Sequence, residues 1–411
     1  MLTKELKPWI MFGLALVFYA YESMLRVSPG IMSHELMASF KISAAGLSNL
    51  AAYYYYIYTP MQIIVGILMD RFGPRLLLSI AAMACACGAF IFGMTEGLLL
   101  ADAGRFLMGL GSSFAFVGVL KLAANWLPKN RIAIAAGVTM AVGMIGGFFC
   151  DTVVPYWVNS YGWRMTTVGS AWFGLGLAAL LFIVLRDDTS GEVNKSRLAD
   201  SIGCALKNML SIIKDRKMWV TGTIGCMMWL PIAIYAETWG VSYLTDAKGF
   251  APKVASSVNA WVFIGWAVGG PMLGYLSDYF SKRKLLLSLG SLMSALFFTL
   301  FFVYDFSPFV VGFLLFLAGV AGSTQVLVFA VSRDNTPSVA SGSAAAFTNL
   351  LVMLAGILQP ISGLLMDYVN TSKIPYHYTE AAYNSAMALV PAALIISCIL
   401  SLCIKDNVNN S

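Results

Sequence analysis

The stretch YAYESMLRVSPG, residues 19–30, sets Glu22 and Arg26 four positions apart within a run of apolar residues. On a helix of 3.6 residues per turn, that spacing puts both side chains on one face, about 40° apart. Each charge costs about 2.5–3.5 kcal/mol at mid-bilayer, so such groups face a water-filled interior or one another. A carboxyl in a low-dielectric cavity beside a guanidinium binds a proton with an affinity its neighbour sets. A guanidinium is also a two-pronged donor for a carboxylate. Glu22 is the first choice for a proton carrier because Arg26 is one turn away; the same two residues also read as a self-neutralising structural pair. Arg105, in RFLMGLG, lies about two turns into another apolar run, and Asp102 can pair with it at i, i+3. Glu237, in IYAETWG, is a further acid within an apolar run.

The elements that carry these residues follow from composition. The chain has 411 residues, 59% hydrophobic and 11% charged, with a mean hydropathy of +0.77. A soluble protein carries about a quarter charged residues. Apolar stretches of about 20 residues recur throughout, each long enough to cross a bilayer. The reading is an all-α polytopic membrane protein with twelve spans, near 9–28, 44–69, 76–94, 98–121, 132–154, 165–185, 218–243, 253–276, 285–304, 308–331, 340–366 and 385–403. The first run is too long for a signal-peptide core. Residues 1–188 and 217–411 read as two six-helix bundles, and 189–216 as a linker whose segment 198–213 is amphipathic, with Leu198, Ile202, Leu206 and Met209 on one face. Most of the 26 lysines and arginines fall in loops on one side, including Arg71, Arg75, Lys129, Arg131 and the basic central loop. The other side holds Lys41, Arg164, Lys248, Lys253 and Lys373. Positive charge stays inside, so both termini are expected in the cytoplasm. The net charge of +6 then needs no nucleic acid. His34 and His377 fall in loops, which leaves no intramembrane histidine relay. The cysteines have no metal spacing, and no nucleotide-binding loop is present, so neither metal nor ATP is expected.

Four helix ends share Gly-x3-Asp: Gly66/Asp70, Gly147/Asp151, Gly274/Asp278 and Gly363/Asp367, closing spans 2, 5, 8 and 11. Spans 2 and 8 end on the inner side and spans 5 and 11 on the outer, as nested inverted triplets within two parallel halves would place them. GILMDRFGPR (66–75) resembles the loop 2–3 signature of the major facilitator superfamily, with Pro74 in place of an arginine. GYLSDYFSKRK (274–284) resembles its second copy, RFLMGLG the span 4 signature, and GMIGG (143–147) the span 5 signature without its proline. YGWR (161–164) before span 6 is also common in the family.

The resemblance implies two pseudo-symmetric six-helix bundles, alternating access, a proton gradient in place of a cofactor, and a monomer as the working unit. It implies a gating latch made of Gly66, Asp70, Arg71, Gly73 and Arg75, with Gly274, Asp278, Lys282 and Arg283 as the second copy. Asp70 would face a helix N-terminus, Gly66 and Gly73 would allow close approach and a tight turn, and the arginines would bind helix ends. Spans 1, 4, 7 and 10 line the cavity in this family, so Glu22, Arg26, Arg105 and Glu237 would converge there, with Thr324 and Gln325 from span 10. Glu22 and Glu237 are the proton-coupling candidates, and Glu237 can alternatively meet an ammonium group. Tyr54 and Tyr58, from the run Tyr53–Tyr56 and Tyr58, are the substrate-facing tyrosines. Asn259, Asn349 and Gln359 read as helix-joining residues or as hydrogen-bonding partners of the substrate, and Lys121 as a snorkelling base or one that lines the exit path. The function expected is proton-coupled uptake of a small carboxylate-bearing or zwitterionic nutrient across a bacterial inner membrane. An amino acid is favoured, because YESMLRVSPGIM, SFAFVGVLKLAANWLP and NLLVMLAGILQPISGLLMD are similar to bacterial intraphagosomal amino-acid permeases. Proton-antiport efflux, or uptake of dipeptides, organic acids or siderophores, are the alternatives.

Overall fold

In this computed structural model the described residues are 6–128, 131–187, 209–280, 282–337 and 340–404, and among them the regular structure is helical. Twelve crossings are labelled in order: α1 Leu6–Ile31, α2 Ala44–Phe72, α3 Pro74–Met94 and α4 Leu98–Trp126, then α5 and α6 within Ile132–Val184. The second half holds α7 Arg216–Ala247, α8 Pro252–Ser277, α9 Arg283–Val303, α10 Pro308–Asp334, α11 Ser341–Val369 and α12 Glu380–Leu402. Spans 5 and 6 follow each other without a loop, as two helices joined at a kink in the chain. The kink falls where Gly162 takes φ 76°, a left-handed backbone that glycine reaches without a Cβ clash. α5 is residues 132–161 and α6 residues 163–184. The linker positions Leu198, Ile202 and Leu206 lie outside the described residues; Met209 and Ile212 pack on Met218, Phe347 and Leu351 of the second half.

Six crossings are interrupted along their length: α8, α11 and α12 pause at Ala260, Leu358 and Ala388, and three others depart further from the α-helix. α4 breaks between Ser112 and Ala115, and α10 tightens to a 3-10 turn over Ser323–Val326. α7 widens to a π-helix over Pro231–Trp239. Pro231 at its start has no N–H to give to the ladder, and carbonyls within the widened segment take side-chain donors. Ala233 O accepts from Gln359 Nε2 at 2.9 Å and Thr238 Oγ1 at 2.8 Å, and Ala236 O from Asn259 Nδ2 at 3.0 Å. Broken backbone at membrane depth is tolerated where protein or a cavity satisfies it.

The two halves meet differently at their two ends. At the end remote from residues 6 and 404, ties cross the interface. Asp367 of α11 accepts the N–H groups of Ala44 (3.2 Å) and Ala45 (3.0 Å) at the start of α2, and the Tyr378 hydroxyl at 2.7 Å. Asp151 of α5 accepts from Asn259 of α8 at 2.6 Å. Ser33 meets Ser242, and His34 Nε2 lies 3.1 Å from Asp246 Oδ2. A Cβ on Gly30 would overlap the Glu237 carbonyl, and one on Gly363 the Ala44 carbonyl. At the opposite end Gly66, Gly137, Gly274 and Gly342, on α2, α5, α8 and α11, each have nothing within 4 Å of a built Cβ. All four line one cavity. The far end is closed and the end nearer the termini is open.

Candidate functional site

The cavity between the halves measures about 550 Å³. Its walls are mostly apolar: Phe116, Met140 and Met144 on one side, Trp229, Trp266 and Phe329 on the other. Polar groups enter from Tyr19, Tyr58, Gln62, Gln325 and Asn349, and among the described lining residues Arg26 is the cation. Gln62 Oε1 accepts from Asn349 Nδ2 at 2.9 Å across the halves.

At the blind end of this cavity, Arg26 does not bridge to Glu22, as its spacing would suggest. Its Nε lies 2.9 Å from Glu237 Oε1, in the opposite half, and its guanidinium 5.8 Å from the centroid of Trp229. Tyr55, which the sequence does not single out within its tyrosine run, donates to Glu237 Oε2 at 2.6 Å. Glu22 instead accepts from Tyr54 at 2.6 Å and from Ser23 at 3.2 Å. The physical reason is reach. An i, i+4 pair shares a face, but a buried arginine can extend across the interface to a carboxylate on a facing helix. Two acids thus sit at one depth, one bonded by neutral hydroxyls and one bridged to a cation.

Arg105 is placed away from the cavity. It is 1% exposed and donates to the carbonyls of Leu25 (2.7 Å), Arg26 (3.4 Å) and Ala51 (3.3 Å), with its guanidinium 5.2 Å from the Tyr54 ring centroid. It straps α1 to α2 and does not pair with Asp102, whose Oδ1 has no partner. Thr324 likewise turns from the cavity: its hydroxyl bonds Ala321 O at 2.8 Å, and its side chain packs where Gly290 leaves room. Gln325 and Tyr58 do line the cavity, whereas Tyr54 orients Glu22 from behind it.

The latch residues take other partners than expected. Asp70 meets Lys121 Nζ at 2.6 Å rather than a helix N-terminus, and Arg71 lies over the Phe72 ring. Gly73, at φ 77°, makes the turn into α3. Arg75 donates from Nε to Phe182 O at 3.0 Å and from its backbone N–H to Asp187 at 3.0 Å. In the second copy Arg283 pairs with Asp334, Lys282 is exposed, and the Asp278 side chain lies outside the described residues. Gly66 and Gly274 border open space, not a packed neighbour. The role expected of Asp70, a carboxylate on a helix N-terminus of the other half, is filled at the closed end by Asp367.

His34 lies on a short helix, Ser33–Phe40, not in a loop. Its partner Asp246 also accepts from Tyr383 at 2.7 Å. The bond to the Asp246 carboxylate holds the His34 imidazolium above the ordinary histidine range, and Glu35 adds to this, while burial opposes it. A value raised by a cross-interface partner means that the tie is fully present below the ordinary histidine value of ~6.5 and fades as pH rises through the raised value. Spin labels on Ala38→Cys and Lys373→Cys should therefore report more far-end separation with rising pH through that window. His34→Gln should remove this component.

The family model described as Major Facilitator Superfamily matches residues 10–402. A probable sulfoacetate transporter of Cupriavidus necator is 26% identical over 67% of this chain and 66% of its own length. A hexuronate transporter of Bacillus subtilis is 24% identical over 90% of each chain, and a probable galactarate/D-glucarate transporter of Escherichia coli 22% identical over 82% of each. The fold is similar to a bacterial homologue of the human lysosomal transporter Spinster in an inward-facing, occupied conformation (TM-score 0.76, 14% identity, 97% of each chain). It is also similar to a D-xylose–proton symporter (TM-score 0.72, 16% identity, 96% and 97% covered). With twelve crossings, two facing halves and a family match over nearly its whole length, the chain belongs to the Major Facilitator Superfamily and is a membrane transporter of small molecules, not an enzyme.

Proposed function

We propose that the protein carries a small carboxylate-bearing solute into a bacterial cell across the inner membrane, together with a proton, working as a monomer with both termini in the cytoplasm. One observation carries this reading: the Arg26–Glu237 ion pair at the blind end of a largely apolar cavity. An anion entering the cavity meets Arg26 and competes with Glu237 for it. Glu237 then keeps only the Tyr55 hydroxyl, and a buried carboxylate that loses its cation costs several kcal/mol. A proton on Glu237 removes that cost, so solute and proton bind together. Proximity to Arg26, the ground on which the sequence favours Glu22, passes to Glu237. Single-headed acids suit the cavity better than two-headed sugar acids, because no second cation lines it among the described residues.

A zwitterionic amino acid is the second reading, favoured by the same bridge: its carboxylate would take Arg26 and its ammonium Glu237, with no proton required. Cationic efflux cargo fits less well, since it would have to displace Arg26 from Glu237 and leave the arginine unpaired. The test is uptake and counterflow in proteoliposomes with monocarboxylates, sulfonates, sugar acids and amino acids. Glu237→Gln should keep exchange of an acid but lose pH-gradient-driven accumulation. Accumulation lost in Glu22→Gln and kept in Glu237→Gln would move the carrier to Glu22. Amino-acid uptake indifferent to the gradient would select the zwitterion.

A further inference from the structure

We propose that Asp151 binds a proton each time the far end of the molecule closes and returns it to far-side water when that end opens. Asp151 is fully buried between the halves. Its Oδ2 accepts from Asn259 Nδ2 at 2.6 Å, and its Oδ1 has no partner. The Asn259 Oδ1 and the Tyr235 hydroxyl are also buried without partners. The titratable or polar groups facing Asp151 are Cys150 on its own helix, Asn259 on α8 and Tyr235 on α7. No ion pair among the described residues includes it. Phe263 closes the site from the opposite half, 2.8 Å from a Cβ built on Gly147.

The contrast with Asp367 shows what an ionised carboxylate needs at this interface. Asp367 receives two N–H groups from a helix N-terminus and a tyrosine hydroxyl, a setting that favours negative charge. Asp151 receives one neutral amide. An ionised carboxylate buried on that support is strongly disfavoured, whereas a protonated one gives its orphaned oxygen a hydrogen to share. When the halves part, water reaches Asp151, and a hydrated aspartate ionises near pH ~3.9. The O–H bond on Oδ1 thus forms from far-side water before closure and breaks to the same side on reopening. This proton sets the balance of the two states and is not translocated. The proposal rests on alternating access but not on the solute or on Glu237.

The test uses the full chain without solute in a His34→Gln background, with Cys87, Cys204, Cys398 and Cys403 replaced by serine. Spin labels sit at Ala38→Cys and Lys373→Cys, and the open-to-closed ratio is read from the distance distribution between pH 5 and 8. Linkage requires that Asp151 contribute about a tenfold rise in that ratio per pH unit across the window in which only the closed state holds the proton. Asp151→Asn should lose that contribution and stay closed, and Asp151→Glu should retain it. Should Asp151→Asn fail to fold, Asp151→Ser is the neutral variant. A neutral variant that keeps the full slope overturns the proposal, as does a ratio that follows sodium concentration at fixed pH. Because no solute is present, failure here leaves Glu237 as carrier, and failure of Glu237→Gln to lose accumulation leaves this slope in place.

Discussion

Arg26→Gln abolishes uptake and destabilises the protein, and adding Glu237→Gln restores the stability but not the uptake. The single change leaves Glu237 buried with only Tyr55 as a donor. Removing one partner of a buried bridge costs about 3–5 kcal/mol, whereas removing both is often close to neutral. Thermal unfolding in detergent should therefore show a clear loss in the single variant and substantial recovery in the double. Counterflow should be absent in both, because the cation that meets the solute is gone. Arg26→Lys separates charge from shape: it keeps a cation for Glu237 but not the planar fork that grips a carboxylate. It should retain most of the stability and lose at least tenfold in apparent affinity. Equal stability of the single and double variants would mean that the bridge is not what holds Glu237.

The residues of this site are legible one by one in the sequence, but their pairing is not. Hydropathy picks out Glu22, Arg26, Arg105 and Glu237, because a charge inside an apolar run is too costly to keep without a partner or a hydrated cavity. Periodicity then gives only the face of a helix. It cannot say that Arg26 reaches the opposite half while Arg105, equally unusual in sequence, points at the backbone of α1. Nothing in the spacing marks Tyr55 over Tyr54, since adjacent positions on a helix differ by about 100° and the partner helix decides which is used. The same holds for His34, whose carboxylate partner lies more than two hundred residues away. Glycine signals carry further. The four Gly-x3-Asp repeats read as a symmetry, and the structure shows that symmetry broken: at the closed end Gly147 and Gly363 press on the other half, while Gly66 and Gly274 face the cavity.

That broken symmetry divides the molecule into a packed end and an open end built from equivalent parts. Asp367 on the start of α2 and Asp70 on Lys121 are corresponding acids in different company. In the opposite state the roles should exchange, with Asp70 released toward the second half and Asp367 left to Tyr378. A transporter that swaps its ties end for end keeps the two states close in energy, so that solute, proton or a small steric change can tip the balance.

Alanine at the packed glycines should tip it most directly. In Gly30→Ala/Gly363→Ala, each methyl would overlap a carbonyl of the other half, Glu237 at one site and Ala44 at the other. Backbone cannot rotate aside as a side chain does, so the halves must separate at the far end. Overpacking of this kind costs about 1–3 kcal/mol per site, and together the two should move the open-to-closed ratio by roughly 30-fold or more. Spin labels at Ala38→Cys and Lys373→Cys should report the longer distance, with the melting temperature little changed, because the clash is relieved in a state the protein already visits. Gly66→Ala/Gly274→Ala is the mirror experiment. Those methyls meet nothing here, so the short far-end distance should persist. Solute exchange should nevertheless slow, since the cavity end can no longer close tightly. If both pairs gave the same distance distribution, the two ends would not be exchanging roles, and the open cavity would be a fixed vestibule instead of one of two alternating mouths.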